Sequence, residues 1–307
     1  MIGVLVGFAI IAAIISTGWL LGRLRVFDSD AEATLNRLAF FVLSPTLLFE
    51  TLAQANLSTI FGRDLPVAAI AASSVIAIGL VLSLVAFRRH LPEAVIAALG
   101  AGYSNSNNIG IPVSVYVLGN ATASAPIIML QFCVIAPIAL TVLDVTTGGR
   151  TTPWRIVRQP LMNPLIVGSL LGLVVALTRW KLPDALLAPF ELVGGAAVPV
   201  ILLGFGMSLA HSRVLDAVGN RKDIIAASVL KLVVMPVIAW ATAYWGFGMR
   251  GTTLFAAVAL AALPTAQNVY NYARRYDRAV AVARDIVFVT TIASVVALVV
   301  IAWLLAE

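Results

Sequence analysis

The stretch that decides the fold of this chain is residues 102–119, which read Gly-Tyr-Ser-Asn-Ser-Asn-Asn-Ile-Gly-Ile-Pro-Val-Ser-Val-Tyr-Val-Leu-Gly. Apolar sequence flanks it, at residues 94–99 and 111–118, so its polar residues stand inside a hydrophobic segment. Pro112 removes one backbone donor and clashes with the carbonyl four residues earlier. We therefore expect a helix that crosses a membrane here to break near residues 107–112. Unwound backbone at membrane depth is tolerated only inside protein or beside water.

Two interpretations of this break remain open. It forms a substrate or ion site in a discontinuous transmembrane helix, or it is a proline kink whose asparagines bond neighbouring helices. Asn105, Asn107 and Asn108 lie within four residues. This density of amides exceeds what one kink requires, and it favours the site.

The composition is that of a membrane protein. Of 307 residues, 61% are hydrophobic and 11% are charged, whereas a soluble domain is usually about 25% charged. Apolar runs of about 20 residues, the length that crosses a bilayer, recur throughout. The chain is therefore predicted to be an all-α, polytopic membrane protein. Its net charge of +6 reflects loop residues that orient the protein in the membrane, so nucleic acid is not an expected partner.

Ten apolar segments account for the chain. They lie at residues 2–22, 31–54, 66–87, 92–119, 122–145, 159–179, 185–210, 223–246, 250–275 and 280–304. With the N-terminus outside, 14 of the 20 Lys and Arg residues fall in cytoplasmic loops and four in external loops. This bias agrees with the positive-inside rule. It predicts a multi-pass protein of the inner membrane with both termini outside.

The two halves of the chain carry related sequences. The second segment contains Ser44-Pro45-Thr46-Leu47-Leu48, and the seventh contains Val198-Pro199-Val200-Ile201-Leu202. The polar break of the fourth segment has a counterpart in the ninth, at residues 262–272, again with a proline and several amides. Five segments per half make an inverted repeat, and paired interrupted segments at matching positions indicate a transporter's site. The first repeat is predicted at residues 1–148 and the second at residues 149–307.

At this point the sequence resembles the auxin efflux carrier family, which includes bacterial permeases and the plant PIN carriers. The fourth segment is similar to the family's Asn-Thr-x-x-x-Gly-Ile-Pro motif, from Asn105 to Pro112, and the ninth to its Ala-Leu-Pro stretch, from Ala262 to Tyr276. The second proline of the plant ninth helix is replaced by Val269, and residues 66–85 lack the plant Asp/Lys pair. These departures argue against auxin itself as the substrate.

The resemblance implies a fold as well as a function. Two inverted five-helix repeats would be arranged as a scaffold (helices 1, 2, 6 and 7) and a mobile transport domain (helices 3–5 and 8–10). Helices 4 and 9 would break and cross beside the substrate, which an elevator-type motion would carry across the membrane. The second and seventh helices would form a homodimer contact. The related bile-acid sodium symporters hold sodium with a glutamate in the ninth helix, but this chain has Ala266-Gln267-Asn268 there, so sodium coupling ranks below proton coupling or uniport.

The predicted function is a permease for a small organic anion, of the carboxylate class. Amides donate hydrogen bonds without carrying charge into the bilayer. The candidate substrate-binding residues are Asn105, Asn107, Asn108, Gly110, Pro112, Pro264, Gln267, Asn268 and Asn271. A sodium-coupled anion symporter is the alternative. An intramembrane enzyme is disfavoured because Ser104 and Ser106 have no intramembrane His or Asp pair to activate them, and we expect no catalytic residues, no metal and no cofactor.

Two basic residues lie inside predicted segments. Lys231, about nine residues into the eighth segment, is a possible charge partner for a substrate carboxylate, or its long stem extends to the membrane surface. Both interpretations stay open. Arg37 lies one to two turns inside the second segment, and we expect it to anchor to the headgroups of membrane lipids.

The orientation is testable by cysteine labelling. With Ala306→Cys, a membrane-impermeant maleimide added outside should react, whereas with Thr151→Cys the thiol should be protected, because the charge bias places the C-terminus outside and residues 146–158 inside. Both changes are made in a Cys133→Ser background to remove the native thiol. Permeabilised cells, in which both positions react, give the control. The reverse pattern in intact cells contradicts the predicted orientation.

Overall fold

The computed structural model describes residues 2–28, 30–54, 62–147, 162–180, 182–210 and 221–306. The regular secondary structure of these residues is helical, apart from one antiparallel bridge between Ser104 and Thr265. The helices are α1 (Ile2–Arg23), α2 (Ala31–Ala53), α3 (Asp64–Ala86), α4a (Leu91–Gly102), α4b (Ile111–Tyr116), α5 (Ala125–Thr146), α6 (Pro164–Thr178), α7 (Ala185–Ala210), α8 (Arg221–Gly246), α9a (Gly251–Ala261), α9b (Gln267–Tyr276) and α10 (Val280–Leu305).

The exterior of this helical assembly is apolar. Six of the helices are long and apolar enough to cross a bilayer: α2, α3, α5, α7, α8 and α10. Large hydrophobic side chains are exposed along them, for example Leu192 at 80% and Val85 at 73%. Such a surface is stable against lipid and costly in water. The chain is therefore a multi-pass membrane protein, as the composition predicts.

The predicted segments correspond to helices wherever they are described. The sixth begins at Pro164, because the side chain of Asn163 caps it by accepting from the Leu165 amide at 2.9 Å. Residues 159–161 of that predicted segment lie outside the described residues, as does most of the connection at residues 146–158.

The break between α4a and α4b lies earlier than the sequence predicts. α4a ends at Gly102, residues 103–105 are non-helical, and helical structure resumes at Ser106, whereas we expected the break near residues 107–112. Pro112 stands instead in the first turn of α4b, where a proline is tolerated. A wide, π-helical turn at Ser106–Gly110 precedes it and accommodates the ring without ending the helix.

The two broken helices satisfy each other's backbone. The amide of Asn105 donates to the carbonyl of Pro264 at 2.7 Å, and the amide of Ala266 donates to the carbonyl of Tyr103 at 2.9 Å. The carbonyl of Gly100, near the end of α4a, accepts from the Thr265 hydroxyl at 2.6 Å. Because residues 103–105 and 264–266 are buried, each of these bonds satisfies a polar group that would otherwise be costly to bury. The breaks therefore cross as one hydrogen-bonded unit.

The turns that lead into the two broken helices have the same conformation. After α3, the amide of Phe87 donates to the Leu82 carbonyl and that of Arg89 to the Ser83 carbonyl, at 3.0 and 2.9 Å. After α8, the amide of Phe247 donates to the carbonyl of Thr242 and that of Met249 to the carbonyl of Ala243, at 3.1 and 2.9 Å. The residues between the bonded amides, Arg88 and Gly248, both have a positive φ, of 52° and 63°. The halves thus share local structure that their sequences do not show.

Ion pairs tie the ends of these helices together. The Arg89 guanidinium lies 2.7 Å from the carboxylate of Asp223 at the start of α8, and Arg278 lies 3.5 Å from Glu93 in α4a. The hydrogen bond that Arg89 donates to the Asp223 carboxylate is the main cause that raises the pKa of Arg89. Both pairs join the first half of the chain to the second.

Glycines allow α1 and α7 to pack backbone against backbone. A Cβ atom built on Gly206 of α7 would overlap the carbonyl oxygen of Ile15 and lie 2.8 Å from the amide nitrogen of Trp19. The contact between α6 and α2 is built in the same way, with Gly168 against the carbonyl of Pro45. Small residues at such contacts are typical of helix association in membranes, where no hydrophobic effect drives the helices together.

Gly206→Ala should destabilise the protein by about 1–3 kcal/mol, because the added methyl group meets backbone atoms that cannot rotate away. Gly195→Ala, in the same helix, is the matched control, since a Cβ there meets no atom within 4 Å. Melting temperatures of both variants in one mild detergent make the comparison. Equal melting temperatures contradict the inference that the α1–α7 contact depends on this glycine.

Candidate functional site

A cavity of about 300 Å³ lies against the crossing of the broken helices. Its walls come from α2, from the α4 break, from α5 and from the start of α9b. Arg37 and Asn271 on its wall are exposed, whereas Asn105 and Gln131 are buried. The cavity therefore extends from the protein surface inward to the crossing.

All six amides predicted from the sequence line this one cavity. They are Asn105, Asn107, Asn108, Gln267, Asn268 and Asn271. Asn268 and Asn271, three residues apart on α9b, share one face of the helix as their spacing predicts. Amides that are distant in sequence are thus brought together by the crossing.

The amides on the α4 side are only partly satisfied by protein. The Asn105 side-chain oxygen accepts from the Asn108 amide at 3.1 Å and so caps the wide turn, but Asn105 Nδ2 has no partner among the described residues. Asn107 Nδ2 donates to Asn108 Oδ1 at 2.9 Å, while Asn107 Oδ1 is likewise unpartnered there. Buried polar atoms normally have hydrogen-bond partners. These unpartnered polar atoms belong to residues that line the cavity.

Gln131 on α5 is a site residue that the sequence reasoning missed. It is 2% exposed, its Oε1 accepts from the Ser106 hydroxyl at 3.4 Å, and its Nε2 has no partner within the described part of the chain. A lone amide inside the fifth apolar segment was the available signal, because polar residues at membrane depth are usually functional.

Three predicted site residues lie behind the cavity wall. Gly110, Pro112 and Pro264 do not line it. The Pro264 carbonyl takes part in the crossing itself, and Gly110 leaves room for Leu263, whose Cδ1 would lie 3.0 Å from an added Cβ. These residues shape the site and leave ligand contact to their neighbours.

Lys231 lies apart from this cavity. It is fully buried, its ammonium donates to the carbonyl of Ala261 at 2.7 Å, and it contacts the Met235 sulfur at 3.1 Å. Ala261 is the last residue of α9a, and a cation is favourable at a helix C-terminus. The lysine therefore caps a half-helix and does not reach the membrane surface.

The charge on the cavity wall comes from α2. Among the described residues that line the cavity, Arg37 alone carries a formal charge, although the sequence favoured a lipid contact for it. The first residues of α9b, Gln267 and Asn268, also line the cavity. A helix N-terminus carries about half a positive charge. The lining is therefore positive and rich in hydrogen-bond donors, which suits an anion.

The chain is similar in sequence to known membrane transport proteins. A family model described as membrane transport protein matches residues 4–150 and 150–302. The chain is 27% identical over 293 residues to an "Uncharacterized transporter" of Methanothermobacter thermautotrophicus, covering 94% of each chain. It is 25% identical over 295 residues to a "Putative malonate transporter" of Rhizobium meliloti, covering 92% of this chain and 89% of that protein.

Similarity also extends to the plant carriers. The chain is 27% identical over 124 residues to the Arabidopsis thaliana auxin efflux carrier component 1, a match that covers 39% of this chain and 20% of that protein. Since the family model spans nearly the whole sequence, the chain belongs to the membrane transport protein family, which includes the auxin efflux carriers.

Proposed function

We propose that the protein is a secondary transporter that moves a small organic anion, of the carboxylate class, across the inner membrane. The observation that carries this proposal is the single cavity lined by six predicted amides, one arginine and no carboxylate among the described lining residues. Amides and a helix N-terminus bind an anion while keeping formal charge out of the bilayer. The Rhizobium relative's name, a malonate transporter, agrees with a carboxylate.

An elevator-type, alternating-access mechanism fits the packing. We assign α1, α2, α6 and α7 to a scaffold, in which the α1–α7 and α2–α6 contacts are made backbone against backbone. The transport domain comprises α3 to α5 and α8 to α10, and most of its helices share one hydrophobic core. The cavity lies between the two groups, with α2 on one side and α4, α5 and α9b on the other. A bound anion would thus move with the crossing relative to α2.

Ten crossings in two inverted repeats, residues 1–148 and 149–307, are part of this proposal. Its support is the matched turns after α3 and α8 and the reciprocal bonds at the crossing. With both termini outside, α2 begins on the cytoplasmic side. Arg37, near the start of α2, then lies toward the cytoplasmic side as well. The cavity described here would then face the cytoplasm. Sodium coupling ranks below proton coupling or uniport, because no described carboxylate lines the cavity.

The role of the amides is tested by two substitutions. Asn268→Ala removes one amide, and Asn105→Asp keeps the oxygen that caps Asn108 while replacing the unpartnered Nδ2. Each should weaken anion binding about 5- to 150-fold, the effect of losing a hydrogen bond in a buried site, and the aspartate adds repulsion. Asn120→Ala is the control, since Asn120 is exposed and, among the described residues, its side chain bonds only to Thr122.

The measurement is solid-supported-membrane electrophysiology on proteoliposomes, with a panel of mono- and dicarboxylates and with sodium or a proton gradient varied separately. Melting temperatures are taken on the same protein preparation. If the amides only join helices, these variants have lower melting temperatures and keep the wild-type affinity for the anion. That result contradicts the proposal that the amides bind the anion. Absence of transport for every anion in the panel contradicts the proposed function.

We also propose a homodimer through α2 and α7, on the basis of the family resemblance and of exposed apolar residues such as Phe41 and Leu192. Native mass spectrometry of the protein in lipid nanodiscs and in mild detergent should give twice the chain mass of 32.3 kDa. A monomer in both, at every protein concentration, contradicts the dimer.

A further inference from the structure

Arg37 is placed to contact the ligand directly. It lies in α2, on the cavity wall formed by Arg37, Phe40 and Phe41. Its guanidinium has no hydrogen bond or ion pair with another residue in the described part of the chain. Among the described residues that line the cavity, there is no carboxylate that could pair with it. A guanidinium offers five donors in a planar fork, which matches the two oxygens of a carboxylate.

The opposite wall supplies a second, separate group of donors. Asn105 and Gln131 are 3% and 2% exposed, and each has a side-chain NH₂ group without a partner among the described residues. The N-terminus of α9b lies beside them, and its N-cap residue, Ala266, has no side chain that could satisfy the first amides. An anionic group bound there lies on the crossing, whereas one bound by Arg37 lies on α2.

The charges on the two walls favour more than one negative charge in the ligand. Arg37 contributes one positive charge, and the α9b terminus contributes about half a charge. The described lining residues include no acid to offset them. A monoanion held at the crossing leaves the exposed guanidinium of Arg37 without an anionic group of the ligand to bind. A ligand with two anionic groups satisfies both walls.

We propose that Arg37 is the charge-selecting residue of this site: it binds a second anionic group of the substrate, so that the cavity prefers dianions to monoanions of the same size. This inference rests on the proposed function, since it names the feature of the anion that the site recognises. The second anionic group is therefore bound by a residue of α2 and not by the broken helices. A bound dianion therefore bridges the two groups of helices between which the cavity lies.

The test compares acids that differ by one charge at nearly constant size. Malonate is paired with malonamate, and succinate with succinamate. Affinities come from solid-supported-membrane electrophysiology, and ligand-induced increases in melting temperature give a second measure on purified protein. The pair whose dianion binds the wild type more tightly is used for the comparison. In that pair, the wild type should bind the dianion more tightly than its monoamide. Arg37→Gln should lower the affinity for that dianion about 10- to 100-fold and change the affinity for its monoamide less than about threefold.

Two further variants distinguish recognition of the second anionic group by Arg37 from a general effect of positive charge. Arg37→Lys keeps the charge but loses the fork, and it should retain part of the preference. Arg23→Gln removes an exposed arginine from the last turn of α1, outside the cavity lining, and should leave the preference unchanged. If Arg23→Gln lowers the preference as much as Arg37→Gln does, the cause is surface potential and the proposal is wrong.

The outcomes distinguish this inference from the function on which it rests. If no acid in either pair, nor in the wider carboxylate panel, is bound or transported by the wild type, the proposed function fails. If an acid is transported but Arg37→Gln keeps the wild-type ratio of dianion to monoanion affinity, only the role of Arg37 fails. Should Arg37→Gln not fold, Arg37→Lys decides: a ratio equal to that of the wild type, with binding otherwise normal, is expected of an arginine that contacts lipid only.

Discussion

The structure depends on how backbone hydrogen bonds are satisfied where two helices stop inside a membrane. Neither break could exist alone, because its free amides and carbonyls would face lipid or apolar side chains. The two breaks solve this problem together: Asn105 donates to Pro264, and Ala266 donates to Tyr103, across one antiparallel bridge. The exchange leaves the helix ends and their amide side chains directed at a cavity. The site is therefore a consequence of the pairing that makes the breaks possible.

The helix ends that remain are satisfied by side chains of different kinds. Lys231 bonds the last carbonyl of α9a, and Thr265 bonds the carbonyl of Gly100 near the end of α4a. These donors lie away from the cavity, on the negative ends of the half-helices, whereas the positive end of α9b lies at the cavity. Cationic and hydroxyl donors thus bond helix ends away from the cavity, whereas the amides and the helix N-terminus line it. Lys231, for which the sequence left a role as charge partner open, therefore takes no part in the cavity.

Some helices pack backbone against backbone at glycines. α1 with α7, and α2 with α6, approach until a glycine on one helix meets backbone atoms of the other. Gly7 of α1 meets the carbonyl of Tyr116 in α4b in the same way, and α3 to α5 with α8 to α10 also share a hydrophobic core. The cavity lies at a boundary, with α2 on one side and α4, α5 and α9b on the other. Arg37 stands on one side of that boundary and the crossing on the other, so an anion between them would sense any movement of one relative to the other.

The sequence by itself determined the membrane class, the helical segments, the pairing of two polar breaks and the six amides of the site. It could do so because apolar length, charge bias and polar residues within apolar runs are local signals. It misplaced the first break, because a wide turn lets Pro112 begin a helix, and nothing local shows that turn. Gln131 and Arg37 were recognised as cavity residues only in the structure, since each is a single polar residue whose neighbours come from other helices. Which polar residues face one space is a property of the crossing, and the crossing is fixed by hydrogen bonds between residues about 160 positions apart, a distance over which sequence patterns carry no geometric information.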